Sequence, residues 1–194
     1  MNRNRNWSQP LLDLVEQSHS RIVMEQVRDY DPDEQAFETL AEISRGMLAT
    51  CKPEGSSCVI MSALLAETLC GQLGIPIPVV AGALKLDGGY MYGSNLAFDG
   101  RRVFSESSED WDGHCWLLFG SYIVDVSLGR TARSGECRAQ LARAVIGTFG
   151  ENVGMIAVTE AGARRAKLRY LPRYVLTQDQ VLALAGGAIQ KFGL

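Results

Sequence analysis

The chain reads as one domain mixing helices with hairpin-joined strands, and three features of its apolar pattern say so. Between residues 10 and 50 the apolar residues recur at helical spacing. From Cys58 to Leu73 they occupy most of a helix circumference. From Val79 onward, short apolar runs are separated by turns rich in glycine, the mark of strands. With 194 residues, 46% of them hydrophobic, there is material for one well-packed core, and no composition shift marks a second domain. We therefore treat 1–194 as a single domain, with residues 1–8 as a flexible tail.

Pro10 suits the first turn of a helix that the periodicity carries to about Tyr30, with Leu11, Leu14, Val15, Ile22, Val23 and Val27 as its buried stripe. Asp31 and Pro32 then read as N-cap and first helical residue of a second helix, which turns Phe37, Leu40, Ile43, Met47 and Leu48 inward. Lys52-Pro53-Glu54-Gly55 breaks it. Ser56 and Ser57 supply hydroxyls competent to cap the next helix, Cys58 to Leu73. A helix greasy nearly all round belongs inside the protein. Gly71 or Gly74 closes it, and Pro76 and Pro78 prevent its continuation.

Strands are expected at 79–86 and 90–96, joined through Asp87-Gly88-Gly89. Residues 99–113 are polar and read as a loop. Two further strands, 114–119 and 122–127, flank Gly120-Ser121, the Gly-first order of a type II′ hairpin. A helix near 135–147, strands near 153–158 and 168–176, and a last helix from Thr177 complete the pattern. Thr177 and Gln180 have the spacing of a capping box.

Composition excludes several classes of function. A net charge of −3 and a pI near 5.5 are wrong for a protein that coats nucleic acid or an anionic membrane. No stretch approaches the roughly 18 uninterrupted apolar residues of a membrane span. The polar start, Met1-Asn2-Arg3-Asn4-Arg5-Asn6, lacks the apolar core of a signal peptide, so the cytosol is the expected compartment. Five cysteines, at 51, 58, 70, 115 and 137, are odd in number and lack compact spacing. They suit reduced thiols better than a disulfide framework.

One of these thiols has the setting of a nucleophile. Cys58 opens a helix, where free backbone amides and the positive end of the dipole favour a thiolate. The chain has only two histidines, His19 and His114, and the second stands in Gly113-His114-Cys115-Trp116. If Gly120 and Ser121 form a two-residue turn, Phe119 pairs with Tyr122, Trp116 lies opposite Asp125, and His114 lies opposite Ser127. Alternation then puts His114, Trp116, Leu118, Ile123, Asp125 and Ser127 on one face. His114 and Asp125 become diagonal neighbours, so the carboxylate can orient the ring. The backbone N–H of Cys58, with a donor from residues 55–57, is placed to hold an oxyanion. Each residue alone has a plainer reading. A cysteine in an apolar helix is usually a small hydrophobe, which is how Cys70 and Cys137 are read here; a strand histidine is usually structural, and an aspartate closing a strand is usually a turn former. Their order and shared face together favour chemistry.

These residues resemble the core of the transglutaminase-like branch of the papain-like cysteine superfamily. The similarity lies in Gly55-Ser56-Ser57-Cys58 with its helix through Gly74-Ile75-Pro76, in Gly113-His114-Cys115-Trp116-Leu117, and in Tyr122-Ile123-Val124-Asp125. It covers about 55–130. It implies an α+β fold in which the buried helix packs on an antiparallel sheet, here with added N-terminal helices, and a catalytic Cys58-His114-Asp125 triad. It does not name the reaction, since the superfamily holds acyltransferases, deamidases, peptidases and members without catalysis. Val59 stands where an aromatic often follows the nucleophile. The Arg-Gly-Gly that precedes the cysteine of arylamine acetyltransferases is absent.

The expected activity is thus a thiol-dependent hydrolase or acyltransferase on an amide or thioester carbonyl of a peptide, protein or small substrate, without a cofactor. The alternative is a binding or structural module that keeps the fold. Cys51, Cys58, Cys115 and His114 lack the close spacing of a zinc site, and His114 and Cys115 should point to opposite faces. Gly88, Gly89 and Gly93 make no phosphate loop, because no Gly-Lys-Ser/Thr follows. Arg164, Arg165, Lys167, Arg169 and Arg173 read as a solvated face or as a clamp for an anionic substrate. The acidic stretch 105–112 is a surface loop or a lid, and Asp110 and Asp112 compete with Asp125. Trp116 should pack beside the site as core.

Overall fold

The computed structural model describes residues 7–51, 58–105, 111–135 and 137–193. The fold is α+β, and its centre is a six-stranded antiparallel sheet.

The N-terminal region departs from the periodicity in instructive ways. Trp7, expected in the tail, is buried, and its indole N–H donates to the Gly120 carbonyl at 2.8 Å. The long first helix is two helices, α1 (Gln9–Ser18) and α2 (Arg21–Asp29). The break falls at His19-Ser20, because the Ser20 hydroxyl accepts from Val23 N and offers the chain a fresh N-cap. Helix α3 (Glu34–Thr50) is capped by Asp33, whose carboxylate accepts from Ala36 N at 2.8 Å, and not by Asp31. Pro32 serves packing instead. It lies against Gly120, where a Cβ would meet Pro32 Cδ at 2.2 Å.

Helix α4 (Cys58–Leu73) is apolar nearly all round for the reason expected: Val59 to Ala66 are buried without a break, and only its last turns expose Thr68, Gly71 and Gln72. It packs on the sheet, on α3 and on the last helix, and Gly74 at φ +65° ends it. Strand β1 (Val79–Leu86) turns into β2 (Gly89–Tyr92) through Asp87 and Gly88, both at positive φ, as a type I′ turn requires. β2 is shorter than the 90–96 expected, and the polar loop holds one helical turn, α5 (Gly100–Val103), capped by Asp99.

Strands β3 (His114–Phe119) and β4 (Tyr122–Asp125) pair Phe119 with Tyr122 and Leu117 with Val124, the register a two-residue turn dictates. Gly120 is at φ +56° and Ser121 is not at positive φ, as type II′ demands. β4 stops two residues short of 127 because Ser127 leads into α6 (Leu128–Arg133). The remaining elements are α7 (Ala139–Phe149), β5 (Ile156–Thr159), α8 (Glu160–Arg165), β6 (Leu168–Val175) and α9 (Gln178–Phe192). α9 has both bonds of the Thr177/Gln180 capping box. Helices α6 and α8 are too short for periodicity to reveal.

β6 runs along one edge of β1. β3 and β2 share the other, β3 on Val79 to Gly82 and β2 on Leu84 to Leu86. Alternation then sorts two cores. Val79, Ala81, Cys115, Leu117, Phe119 and Val124 face α3, α4 and α9. Val80, Leu84, Trp116, Leu118, Ile123 and Tyr170 face α1, α2 and α7. The sheet is therefore covered on both faces, and the N-terminal helices divide between them. Among the described residues no helix is long and apolar enough to cross a membrane.

The Gly120 turn yields a direct expectation. Gly120→Ala adds left-handed backbone strain to the clash with Pro32 and should cost about 3 kcal/mol. Gly88→Ala, at φ +84° with no atom within 4 Å, meets only the strain, about 1 to 2 kcal/mol. Urea denaturation of the two variants should separate these values, and equal losses would mean that Pro32 yields.

Candidate active site

The site lies at the seam where β3 ends and β2 begins along one edge of β1. His114 is the first residue of β3 and pairs with Gly82; one residue further along β1, Ala83 touches Gly93, which follows β2. This seam lets the His114 ring reach the end of helix α4, whose first residue is Cys58.

His114 and Asp125 meet as the hairpin register requires. His114 Nε2 lies 2.6 Å from Asp125 Oδ2, with the residues 2% and 0% exposed. Asp125 accepts four further bonds. Its Oδ1 takes Ser127 N, Ser127 Oγ and Leu128 N, and its Oδ2 also takes the Tyr170 hydroxyl at 2.9 Å. Five donors on one buried carboxylate fix both its rotamer and its charge. Burial alone would raise the Asp125 pKa; the His114 charge and hydrogen bond, then Leu128 N and the Tyr170 hydroxyl, bring it below the ordinary value.

With Nε2 committed to Asp125, Nδ1 is the ring nitrogen left for the thiol. His114 and Cys58 lie close enough for each to shift the other's pKa, the ring lowering the thiol and the thiolate raising the ring. Burial would lower the histidine pKa, but the charge and hydrogen bond of Asp125, followed by those of Cys58, lift it to about 10. The ring is also shielded. Tyr92 stacks on it at 5.4 Å between centroids and 19° between planes, and Trp116 and Tyr170 lie at 6.4 and 6.2 Å. Trp116 is thus buried core beside the histidine, as expected.

The Cys58 thiol is held well below its ordinary pKa. A hydrogen bond with the Cys115 thiol is the largest contribution, burial opposes it, and the hydrogen bond and charge of His114 add to the lowering. A neutral S–H is a weak donor, so we assign the decisive stabilisation to the imidazolium, the one group among the described residues that brings opposite charge to the thiolate. Cys115 is raised in turn by burial and by the Cys58 negative charge. The Cys58 sulfur also lies 4.0 Å from the Gly113 carbonyl.

Ser56 and Ser57, with the second oxyanion donor expected from residues 55–57, lie outside the described residues, as does Asp110. Asp112 goes elsewhere, its carboxylate accepting from Gly93 N at 3.2 Å. Cys51 stands apart from the other thiols; its carbonyl and that of Leu48 accept from Arg130 of α6 at 2.7 and 2.5 Å. That fork caps the end of α3. Among the described residues no group of three or more His, Cys, Asp and Glu is arranged to hold a metal ion.

Three contributors escaped the sequence reading. Alternation places Tyr170 inward with Leu168, but nothing local says that β6 will face Asp125. Tyr92 was one residue of an ordinary strand. Cys115 entered only as a zinc alternative, although its opposite-face orientation is what turns it toward α4 and Cys58.

Compared with protein-family models, curated proteins and solved structures, the chain matches none.

Proposed function

We propose that the protein is a thiol-dependent hydrolase or acyltransferase, acting on an amide or thioester carbonyl through Cys58, His114 and Asp125. The reading rests on the buried 2.6 Å contact between His114 Nε2 and Asp125 Oδ2, which leaves the other ring nitrogen for Cys58. His114 holds the proton of Cys58, and the thiolate attacks the carbonyl carbon. The Cys58 N–H, one of the free amides opening α4, donates to the oxyanion. The imidazolium then protonates the leaving amine or thiol, and an acyl-enzyme remains. Water, deprotonated by the now neutral ring, releases an acid and the free thiol; an amine in its place gives transfer. We favour hydrolysis, since the site needs only water as acceptor. The five free thiols suit a reducing compartment, so we place the protein in the cytosol.

Intact-mass spectrometry of the protein mixed with peptide-amide, glutaminyl and aryl-thioester substrates tests this directly. An acyl adduct mapping to Cys58, absent from Cys58→Ala, is the expected result; release of acid, ammonia or amide distinguishes the three outcomes. If no adduct forms and Cys58 alkylates no faster than Cys70 or Cys137 at pH 6 to 7, the protein is a binding module and the proposal is wrong.

A further inference from the structure

The basic cluster that the sequence offered as a solvated face or an anion clamp does not act as one unit. Arg164 pairs with Glu160 at 3.3 Å and Lys167 with Asp87 at 3.1 Å, both at the surface. Arg173 is different. It falls where the β1–β6 register slips: Ala81 pairs with Tyr174 and Gly82 with Pro172, so Arg173 is the extra residue of a bulge. A bulge frees one residue from the ladder and re-aims its side chain. No ion pair joins Arg173 to another described residue.

Arg173 lines a cavity of about 260 Å³ whose other walls include Ala83, Leu96, Phe98, Trp111 and Asp112. The cavity adjoins the thiol site on two sides. The Trp111 ring covers Gly113, where a Cβ would meet it at 2.0 Å, and the Gly113 carbonyl lies 4.0 Å from the Cys58 sulfur. Gly93, also in the wall, follows Tyr92, which stacks on His114. The bulge is itself opposite Gly82, the strand partner of His114.

The wall chemistry selects an occupant. Leu96 is 73% exposed, an unusual state for a leucine beside Phe98 and Trp111, and these three offer apolar surface. Asp112, the one acid among the described wall residues, is engaged by Gly93 N. That leaves Arg173 as the single cation among the described wall residues, and its planar fork matches a carboxylate. One guanidinium suits a monoanion; a phosphate dianion calls for more donors.

We propose that this cavity is a substrate-binding subsite of the Cys58 centre, which takes an aromatic or aliphatic group bearing a carboxylate, held by Arg173. The inference rests on the thiol reading for its role in turnover, but the binding it asserts does not. The thiol arm of the test uses N-bromoacetyl-phenylalanine and its carboxamide. Each alkylates Cys58 as the thiolate forms an S–C bond and bromide leaves as the anion, the proton remaining on His114 until it passes to solvent. The acid should react with saturation and about tenfold faster than the amide, the size of one charge-assisted contact. In Arg173→Gln the ratio should fall to about one, and Arg173→Lys should restore part of it. The second arm uses Cys58→Ala, in which N-acetyl-phenylalanine should change the tryptophan fluorescence saturably, an effect lost in Trp111→Phe and in Arg173→Gln.

A reactive Cys58 with equal rates for acid and amide, or a preference that survives Arg173→Gln, overturns the subsite and leaves the thiol reading standing. An unreactive Cys58 with intact carboxylate binding overturns the thiol reading and leaves the subsite. Absence of fluorescence response in Cys58→Ala overturns the subsite whatever the thiol does.

Discussion

His114→Ala should slow alkylation of Cys58 by iodoacetamide about tenfold at pH 6.5. Without the imidazolium the thiol returns toward about 8.5, and roughly one molecule in 100 is then thiolate at that pH. The more basic thiolate is the better nucleophile, with a Brønsted slope of about 0.4 to 0.5, which offsets only part of that loss. The expected net loss is about tenfold, and the part-buried setting of Cys58, which disfavours its charge, enlarges it. The pH dependence is the sharper signature. Wild-type labelling should be nearly level from pH 6.5 to 8, because the thiolate is already formed, and should change again near the histidine pKa of about 10. The variant should climb through that whole range. Mass-spectrometric rates at each cysteine check both, with Cys70 and Cys137 as internal references, since burial raises their thiols. Equal Cys58 rates in wild type and variant at pH 6.5 would remove His114 from the site.

Asp125→Ala should be the most destabilising single substitution in the site, by about 3 to 5 kcal/mol. It strands Ser127 N, Leu128 N, the Ser127 and Tyr170 hydroxyls and the charged His114 ring at once. Each buried donor left without a partner carries its own desolvation cost. Tyr170→Phe removes only one of the five bonds and should cost about 1.5 to 3 kcal/mol. The pair also shapes how stability depends on pH. Asp125 is depressed in the fold, so its contribution is present above the unfolded value of about 3.9 and is lost as pH falls through the folded one. His114 is raised, so its contribution is complete below about 6.5 and is lost as pH rises toward about 10. Stability from the pair is thus greatest between about pH 4 and 6.5. Cys58, depressed in the same site, gains up to about pH 8.5 what His114 loses, so urea midpoints of wild type should fall chiefly from about pH 8.5 to 10, and that decline should flatten in His114→Ala. A decline of equal slope in the variant would assign it to other groups.

How much of this was legible depended on range along the chain. The bounds of α4 could be read because a sixteen-residue, mostly apolar run lies between a helix breaker and a glycine. The capping box of α9 was legible as two residues three apart. The Gly120-Ser121 turn was the most informative local signal, since a two-residue hairpin fixes the register and the register brings His114 beside Asp125. By contrast, periodicity runs the first helix too long because it does not see a serine hydroxyl competing for the backbone, and Asp31-Pro32 resembles a helix start because nothing local reveals that Pro32 packs against Gly120.

By itself, then, the amino-acid sequence determined the parts whose causes are local: the thiol on the first residue of a buried helix, the histidine and aspartate across one tight hairpin, and a mixed helical and antiparallel architecture. The tertiary structure decided everything that depends on which strand lies beside which. Pairing of β6 with β1 brings Tyr170 to Asp125 and sets Arg173 loose in its bulge. The shared edge of β1 puts Tyr92 against the His114 ring, and packing of α4 on the sheet sets Cys115 beside Cys58. The physical reason is that periodicity and turn chemistry act over a few residues, whereas strand neighbours are chosen by burial of whole faces, a property of the assembled core that no single segment carries.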